Sequence, residues 1–369
     1  MFYVALAVGA PAVAVAGVAA AAVTRFHLSG EDLSKFDDGE FPVAFRPDPK
    51  SEGLQKVHDY LIENFIKPAA APGSARDKLA ARRKRFDEIG LTREFDCEFR
   101  DDVARAGKIK VTGEWTLPKD CDPSRRILYI HGGAHTVGSA LSHRPIITNM
   151  ANRTGCAVFA PNYRLLPEHP RMAGVEDCRA AYEWICNNGP DGRSKAASIA
   201  VGGDSAGGNQ VLSLINWIRD EKKRTPDAVF AISPATDSTL TSPSLRNNFD
   251  TDVMLQPLAE PILKTPHAVL LWALWRGNRI SPAHPAVSPI FADLANLPPT
   301  LVHVSNAEML RDDSTRYVAK RKAHGSPAEI QIWEHMPHVW HAFDRLLPEA
   351  HEAMDEIAAF LKRHGASAR

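Results

Sequence analysis

Apolar positions along the chain fall into two rhythms. Short apolar runs bounded by Gly, Pro or polar residues lie near 94–100, 108–117, 126–131, 156–160, 198–202, 228–232, 300–304 and 328–333, and each predicts a strand. Ala197-Ser198-Ile199-Ala200-Val201 is typical and predicts a short buried strand. Segments with helical spacing separate the later runs. From Asn209 to Arg219, for example, Val211, Leu212, Ile215 and Ile218 recur on one helical face. Strands alternating with helices predict a mostly parallel sheet of eight strands flanked by helices, with the first strands antiparallel at one edge.

Upstream of the strands the rhythm is helical. Leu54, Val57, Leu61, Ile62 and Phe65 predict one helix, Pro68 to Gly73 breaks it, and a basic helix runs from Ala75 to Ile89. Its run Arg82-Arg83-Lys84-Arg85 reads as a solvated face, with contact to anionic lipid as the alternative. Residues 27–50 read as an acidic, Pro-containing linker. Met1 to Thr24 carries no charged side chain and is long enough to cross a bilayer, though it is Ala-rich and interrupted by Gly9, Pro11 and Gly17. No basic residue precedes the run and no polar face interrupts it. A membrane anchor is therefore favoured over a cleaved signal peptide or a packed helix, so membrane association through residues 1–24 is expected. A secreted or cytoplasmic location is the alternative.

Composition changes this picture little. Basic and acidic residues are equal at 44 each among 369 residues, which argues against a nucleic-acid-binding surface. The five cysteines, at 97, 121, 156, 178 and 186, have no metal-ligand or disulfide-framework spacing and read as unpaired thiols.

Candidate chemistry centres on Gly203-Asp204-Ser205-Ala206-Gly207, a Gly-x-Ser-x-Gly between a predicted strand and a predicted helix. A strand-to-helix turn this sharp needs glycines at 203 and 207, and it lifts the Ser205 hydroxyl above the sheet. A serine nucleophile also needs a base and donors for the oxyanion. The strand ending at Ile130 runs into His131-Gly132-Gly133-Ala134, so the N–H groups of Gly132, Gly133 and Ala206 are the predicted oxyanion hole. Late in the chain, His338 follows the strand Ile330-Gln331-Ile332-Trp333, and Glu308 follows Thr300-Leu301-Val302-His303-Val304. The order Ser, acid, His suits His338 as base and Glu308 as its carboxylate. Asp312 and Asp313 are the rivals for the acid role, but they read better as the opening turn of the next helix.

These segments, taken with Asn162-Tyr163-Arg164-Leu165-Leu166-Pro167-Glu168-His169-Pro170, Ser233-Pro234, His284-Pro285, Ser288-Pro289 and Met336-Pro337-His338, resemble the hormone-sensitive-lipase-like serine esterases, bacterial family IV. The match spans roughly residues 95–345 in the family's order. The resemblance implies an α/β-hydrolase fold under a helical cap. It also implies hydrolysis of small-molecule carboxylic esters with short or medium acyl groups, without metal or organic cofactor. The expected division is an apolar segment over 1–26, linker and N-terminal cap over 27–93, and a catalytic domain over 94–369 with a cap insertion near 245–280. There Phe249, Met254, Leu255, Leu271, Trp272 and Trp275 are candidates for lining a substrate tunnel, with plain core packing favoured residue by residue.

The chain departs from the family's pattern at four places. Ala134 and His135 stand where Gly and an aromatic residue are usual. Asn162 and Leu166 replace a usual Asp and Ala. Glu308-Met309-Leu310 stands for Asp-Pro-Leu. Trp340 fills the place of a smaller aromatic, which would shorten the acyl pocket. An amide deacylase or lactonase would use the same residues. A non-catalytic receptor on this scaffold is disfavoured because His338 is present.

Overall fold

The computed structural model describes residues 19–39, 41–48, 51–70 and 72–369. Most of the apolar stretch from Met1 therefore lies outside the described residues. Among those described, no helix is long and apolar enough to cross a membrane.

Nine strands form the central sheet: β1 (Val43–Phe45), β2 (Glu98–Ala106), β3 (Ile109–Leu117), β4 (Asp122–Ile130), β5 (Cys156–Pro161), β6 (Ser198–Asp204), β7 (Ala228–Ile232), β8 (Thr300–Ser305) and β9 (Ala328–Trp333). Their spatial order is β1-β9-β8-β7-β6-β4-β5-β3-β2. All neighbours from β1 to β5 are parallel, and β3 and β2 close the other edge antiparallel. The parallel strands β5 to β8 are buried along their whole length, which is why they read as unbroken apolar runs rather than alternations.

The eight expected strands are all present, and β1 is an addition. It lies within the stretch read as a linker, and its Phe45 ring stacks on Trp333 with centroids 3.8 Å apart. The same stretch is tied down by charge: Asp37 pairs with Arg316 at 2.9 Å, and Glu31 pairs with Lys320. Acidic residues in a Pro-containing stretch look solvated in sequence because their buried partners lie some 280 positions away.

Both faces of the sheet are covered. Helices α3 (Arg144–Thr154) and α9 (Pro348–Arg363) bury Ile146, Met150, Met354 and Phe360 on one side. On the other, α4 (Arg171–Ile185), α5 (Ala206–Asp220) and α8 (Arg311–Ala323) bury Tyr182, Ile215 and Tyr317. The chain leaves β4 toward β5 and leaves β6 toward β7, so the topological switch point falls between β4 and β6. In open parallel sheets, ligands bind beyond the carboxyl ends of the strands at that point.

Over this end lie the N-terminal helices α1 (Glu52–Leu61) and α2 (Ala75–Leu91). Each begins with a serine cap: Ser51 Oγ accepts from Leu54 N–H, and Ser74 Oγ from Asp77 N–H, both at 3.2 Å. α1 buries Val57 and Leu61 against Trp333, Trp340 and Leu347. Within the basic run of α2 only Lys84 is a solvated side chain, and the three arginines are docked. Arg82 donates to Thr136 Oγ1 at 2.6 Å, Arg83 donates to the carbonyls of Thr136 and Leu166 and pairs with Glu168, and Arg85 donates to the Asn64 carbonyl. Backbone acceptors leave no trace in a sequence pattern, so the charge run alone could not reveal this docking.

Two further helices, α6 (Gln256–Leu263) and α7 (His267–Asn278), lie within the expected cap insertion. α7 packs on the N-terminal segment: Trp272 Nε1 donates to Thr24 Oγ1 at 2.8 Å, and Trp275 meets His27 edge to face. Leu271 is fully buried, and Phe249 packs against a cluster containing Leu245, Met309 and Leu310. Phe249 and Leu271 are thus packed inward, Trp272 and Trp275 are half-buried against the N-terminal segment, and Met254 and Leu255 line the main cavity.

Arg93, just after α2, forms a bidentate pair with Asp344 at 2.5 and 2.6 Å, and Asn149 adds a third bond. Burial alone would raise the Asp344 pKa, but the Arg93 and Asn149 bonds outweigh it and hold the carboxyl below its usual range. A depressed carboxyl pKa stabilises the fold above the unfolded-state value and loses that contribution as pH falls through the folded one. Arg93→Ala is expected to destabilise the protein by about 2–3 kcal/mol at neutral pH, by stranding a buried carboxylate. Urea denaturation should show the difference from wild type narrowing as pH drops below about 4.

Candidate active site

Ser205 sits between β6 and α5 at φ 52° and ψ −117°, a backbone region sparsely populated by non-glycine residues. Its neighbours explain how it is held there. A Cβ on residue 203 would lie 2.4 Å from the Ile130 carbonyl oxygen, and one on residue 207 only 2.0 Å from it. Only glycine lets the turn approach the end of β4 this closely. Ser205 N–H donates to the Ile232 carbonyl at 2.7 Å, and its own carbonyl accepts from Asn209 N–H at 3.0 Å.

His338 connects the serine to an acid. Its Nε2 lies 2.9 Å from Ser205 Oγ, and its Nδ1 lies 2.6 Å from Glu308 Oε2. Glu308 is fully buried, and its other oxygen accepts from Ser305 N–H at 2.8 Å and from Ser233 Oγ at 2.9 Å. Ser233 also accepts from Val339 N–H, so one hydroxyl braces both the acid and the histidine loop. The rivals stand elsewhere in the first turn of α8. Asp312 accepts from Ser244 N–H, and Asp313 accepts from the N–H groups of Thr236 and Asp237. His335 is exposed, His341 packs tilted against Trp340 beside His303, and His351 contacts Arg153.

Sequence reasoning missed a second buried carboxylate. Asp252 accepts from Met309 N–H at 2.9 Å and Leu255 N–H at 3.1 Å, joining the cap insertion to the loop that carries Glu308. Burial and the Glu308 charge push its pKa up to about 6, against the His338 charge and the two N–H bonds. For His338, burial favours the neutral ring. The Glu308 hydrogen bond and charge, with the charges of Asp252 and Asp204, outweigh burial and raise its pKa above the usual imidazole value. Asp252 could not be told in sequence from its solvated neighbour Asp250.

Asp204 occupies the variable position before the serine. It accepts from Tyr129 Oη at 2.7 Å and from Gly132 N–H at 3.1 Å, with His143 Nε2 3.4 Å away. Gly132 N–H is thus already committed, and this corrects its expected place among the oxyanion donors. The following turn is left-handed, with φ of 109° at Gly133, 52° at Ala134 and 58° at His135. The N–H groups of Thr136 and Val137 pin it by donating to the Gly133 carbonyl. Gly133 and Ala134 face the same cavity as Ser205 and His338, whereas the cavity wall does not include His135.

That cavity has a volume of about 1080 Å³ and is lined by residues of α2, α6 and the segment 342–346, among others. Its walls are mainly apolar, with Phe65, Phe86, Ile89, Met254 and Leu258 among them. Trp340 is not part of it. It is fully buried against Trp333 and His303, so it does not shorten the pocket.

Residues 127–342 match the model of an alpha/beta hydrolase fold family. A carboxylesterase of Mycobacterium tuberculosis, NlhH, is 31% identical over 337 residues, covering 87% of this chain and 98% of its own. An acetyl-hydrolase of Streptomyces hygroscopicus is 33% identical over 252 residues, covering 68% of this chain and 79% of its own. Among solved structures, an esterase from the bacterial hormone-sensitive lipase family superposes with a TM-score of 0.73 at 32% identity, covering 85% of this chain and 99% of that one. The fold, the extent of these matches and the agreement among them lead to one conclusion: this chain belongs to the hormone-sensitive-lipase-like α/β-hydrolases and is a carboxylesterase-type hydrolase.

Proposed function

We propose that the protein hydrolyses carboxylic esters of short to medium acyl length, with Ser205 as nucleophile, His338 as general base and acid, and Glu308 as the carboxylate that orients it. The observation that carries this reading is the position of His338, within 2.9 Å of Ser205 Oγ and 2.6 Å of Glu308, at the floor of the cavity. His338 takes the Ser205 proton as Oγ attacks the ester carbonyl, and returns it to the leaving alcohol. Water then repeats the exchange on the acyl-enzyme. The N–H groups of Gly133, Ala134 and Ala206 serve as oxyanion donors, with Ala134 taking the role first expected of Gly132. Names carried by relatives, carboxylesterase and acetyl-hydrolase, fit this chemistry.

Turnover of p-nitrophenyl esters of graded acyl length is the direct test. Ser205→Ala should reduce it by about 10⁶-fold, to background, with an unchanged melting temperature. Glu308→Gln should lower kcat by about 10³–10⁴-fold, since a neutral amide neither fixes the ring tautomer nor supports the imidazolium. Near-normal turnover in either variant would remove that residue from its proposed role.

The pH profile tests the electrostatics separately. His338 must be neutral to act as base, so kcat/KM should rise with pH along an acid limb lying above the usual imidazole value of about 6.5. Negative neighbours hold that limb up by favouring the imidazolium. Removing the Asp252 charge with Asp252→Asn should therefore move it to lower pH. An unmoved limb would separate Asp252 from the proton balance of His338.

A further inference from the structure

The cavity above Ser205 carries two guanidinium groups with no acid to pair with. Arg82 and Arg85 are three positions apart on α2 and share the face that lines the cavity. Arg83, between them, turns outward to Glu168. Among the described residues neither Arg82 nor Arg85 forms an ion pair. Each gives one hydrogen bond to the protein, Arg82 to Thr136 Oγ1 and Arg85 to the Asn64 carbonyl. A guanidinium has five N–H donors in a planar fork, so most of this donor capacity remains unused. The Arg82 Nε is buried with no acceptor at all.

Nearby carboxylates do not neutralise this charge. Of the acids lining the cavity, Asp344 is held by Arg93, Asp204 by Tyr129 and Gly132, and Asp77 by Ser74. Arg345 adds further positive charge to the wall. Burial and the neighbouring Arg83 charge press the Arg82 pKa downward, which marks a desolvated and electropositive place. A purely apolar ester laid over these half-buried groups leaves both forks without an acceptor, which costs free energy. An oxyanion group removes the penalty by accepting from both forks.

We propose that Arg82 and Arg85 form an anion subsite within the substrate cavity, so that the preferred ester carries a carboxylate or phosphate on its acid or alcohol half. This rests on the ester-hydrolase reading above but is tested apart from it. Two matched pairs of substrates separate the sources of charge. Mono-p-nitrophenyl glutarate against p-nitrophenyl valerate places a carboxylate in the acid half. The butyryl ester of glycerol 3-phosphate against monobutyrylglycerol places a phosphate in the alcohol half.

Wild type should favour the charged member of at least one pair by about tenfold or more in kcat/KM, equivalent to one charge-assisted contact of ~1.4 kcal/mol. Arg82→Gln and Arg85→Gln should lower that ratio through KM, and added salt should lower it in wild type. The ratio is the readout, because Arg82 also holds Thr136 and its replacement shifts both members together. Binding of the charged esters to Ser205→Ala protein by calorimetry, with and without the arginine changes, reads the subsite without turnover. Hydrolysis of the neutral esters with no preference for charge, and calorimetric binding indifferent to the arginines, would overturn the anion subsite and leave the hydrolase standing. Arginine-dependent binding with no hydrolysis of any ester would do the reverse.

Discussion

The approach of α5 to the end of β4 is the constraint on which the site depends. With residue 207 only 2.0 Å, Cβ to oxygen, from the Ile130 carbonyl if it had a side chain, the turn between β6 and α5 can close only as glycine. That closure forces Ser205 to φ 52° and ψ −117°, at a cost of about 1–3 kcal/mol. Hydrogen bonds from Ser205 to β7 and from α5 back to Ser205 keep it in place. The same approach brings Asp204 against Gly132, so one carboxylate aligns the serine turn with the loop after β4. The turn bearing Ser205 and the loop after β4 are thus held together by this close approach and by the Asp204 bond to Gly132.

The electrostatic arrangement follows from this compactness. Glu308, Asp252 and Asp204 surround one buried imidazole, and three carboxylates so close would normally be expelled or protonated. Backbone N–H groups make the arrangement tolerable: Ser305 for Glu308, Met309 and Leu255 for Asp252, and Gly132 for Asp204. The acids are not equivalent. Glu308 meets the His338 ring directly and also accepts from Ser233, whereas Asp252 lacks any side-chain donor and is pushed up to about 6. His338 is therefore bonded directly to Glu308 and feels Asp252, whose pKa burial pushes up, through charge alone. Its basicity is set by the loop after β8 and by the cap insertion together.

What could be read in the sequence follows the same physics. The buried parallel strands announced themselves because both faces are apolar, and Gly203 and Gly207 announced the turn because no other residue fits. Ser205, Glu308 and His338 were legible from order and position, and the structure brings their side chains into one hydrogen-bonded line. Features that depend on distant partners were not legible. Gly132 looked available until Asp204 was seen to take its N–H, and Trp340 looked like pocket lining although it packs inward. Arg82 to Arg85 read as a charge run because their acceptors include backbone carbonyls more than fifty residues away. β1 was too short, at three residues, to stand out from its Pro-containing surroundings.

The docking of α2 limits how the cavity can open. Arg82 and Arg83 both bond to Thr136, and Arg83 also holds the Leu166 carbonyl, so α2 is fastened to the turn that follows Gly133 and Ala134. At its far end Gly90 passes so close to the Leu141 carbonyl that a Cβ there would lie 1.9 Å from its oxygen, a second contact that fixes the helix. Lifting α2 while these bonds persist would drag the turn after β4 with it and disturb the backbone around Ser205. The segment around Phe343 is likewise held, through the pair between Asp344 and Arg93, so entry that preserves the site comes past α6, where Leu258 is exposed. The wall bearing Arg82 and Arg85 is then the fixed side of the cavity. Charge recognition placed on a fixed wall needs no reorganisation when ligand arrives, which is the condition under which a half-buried guanidinium discriminates most strongly.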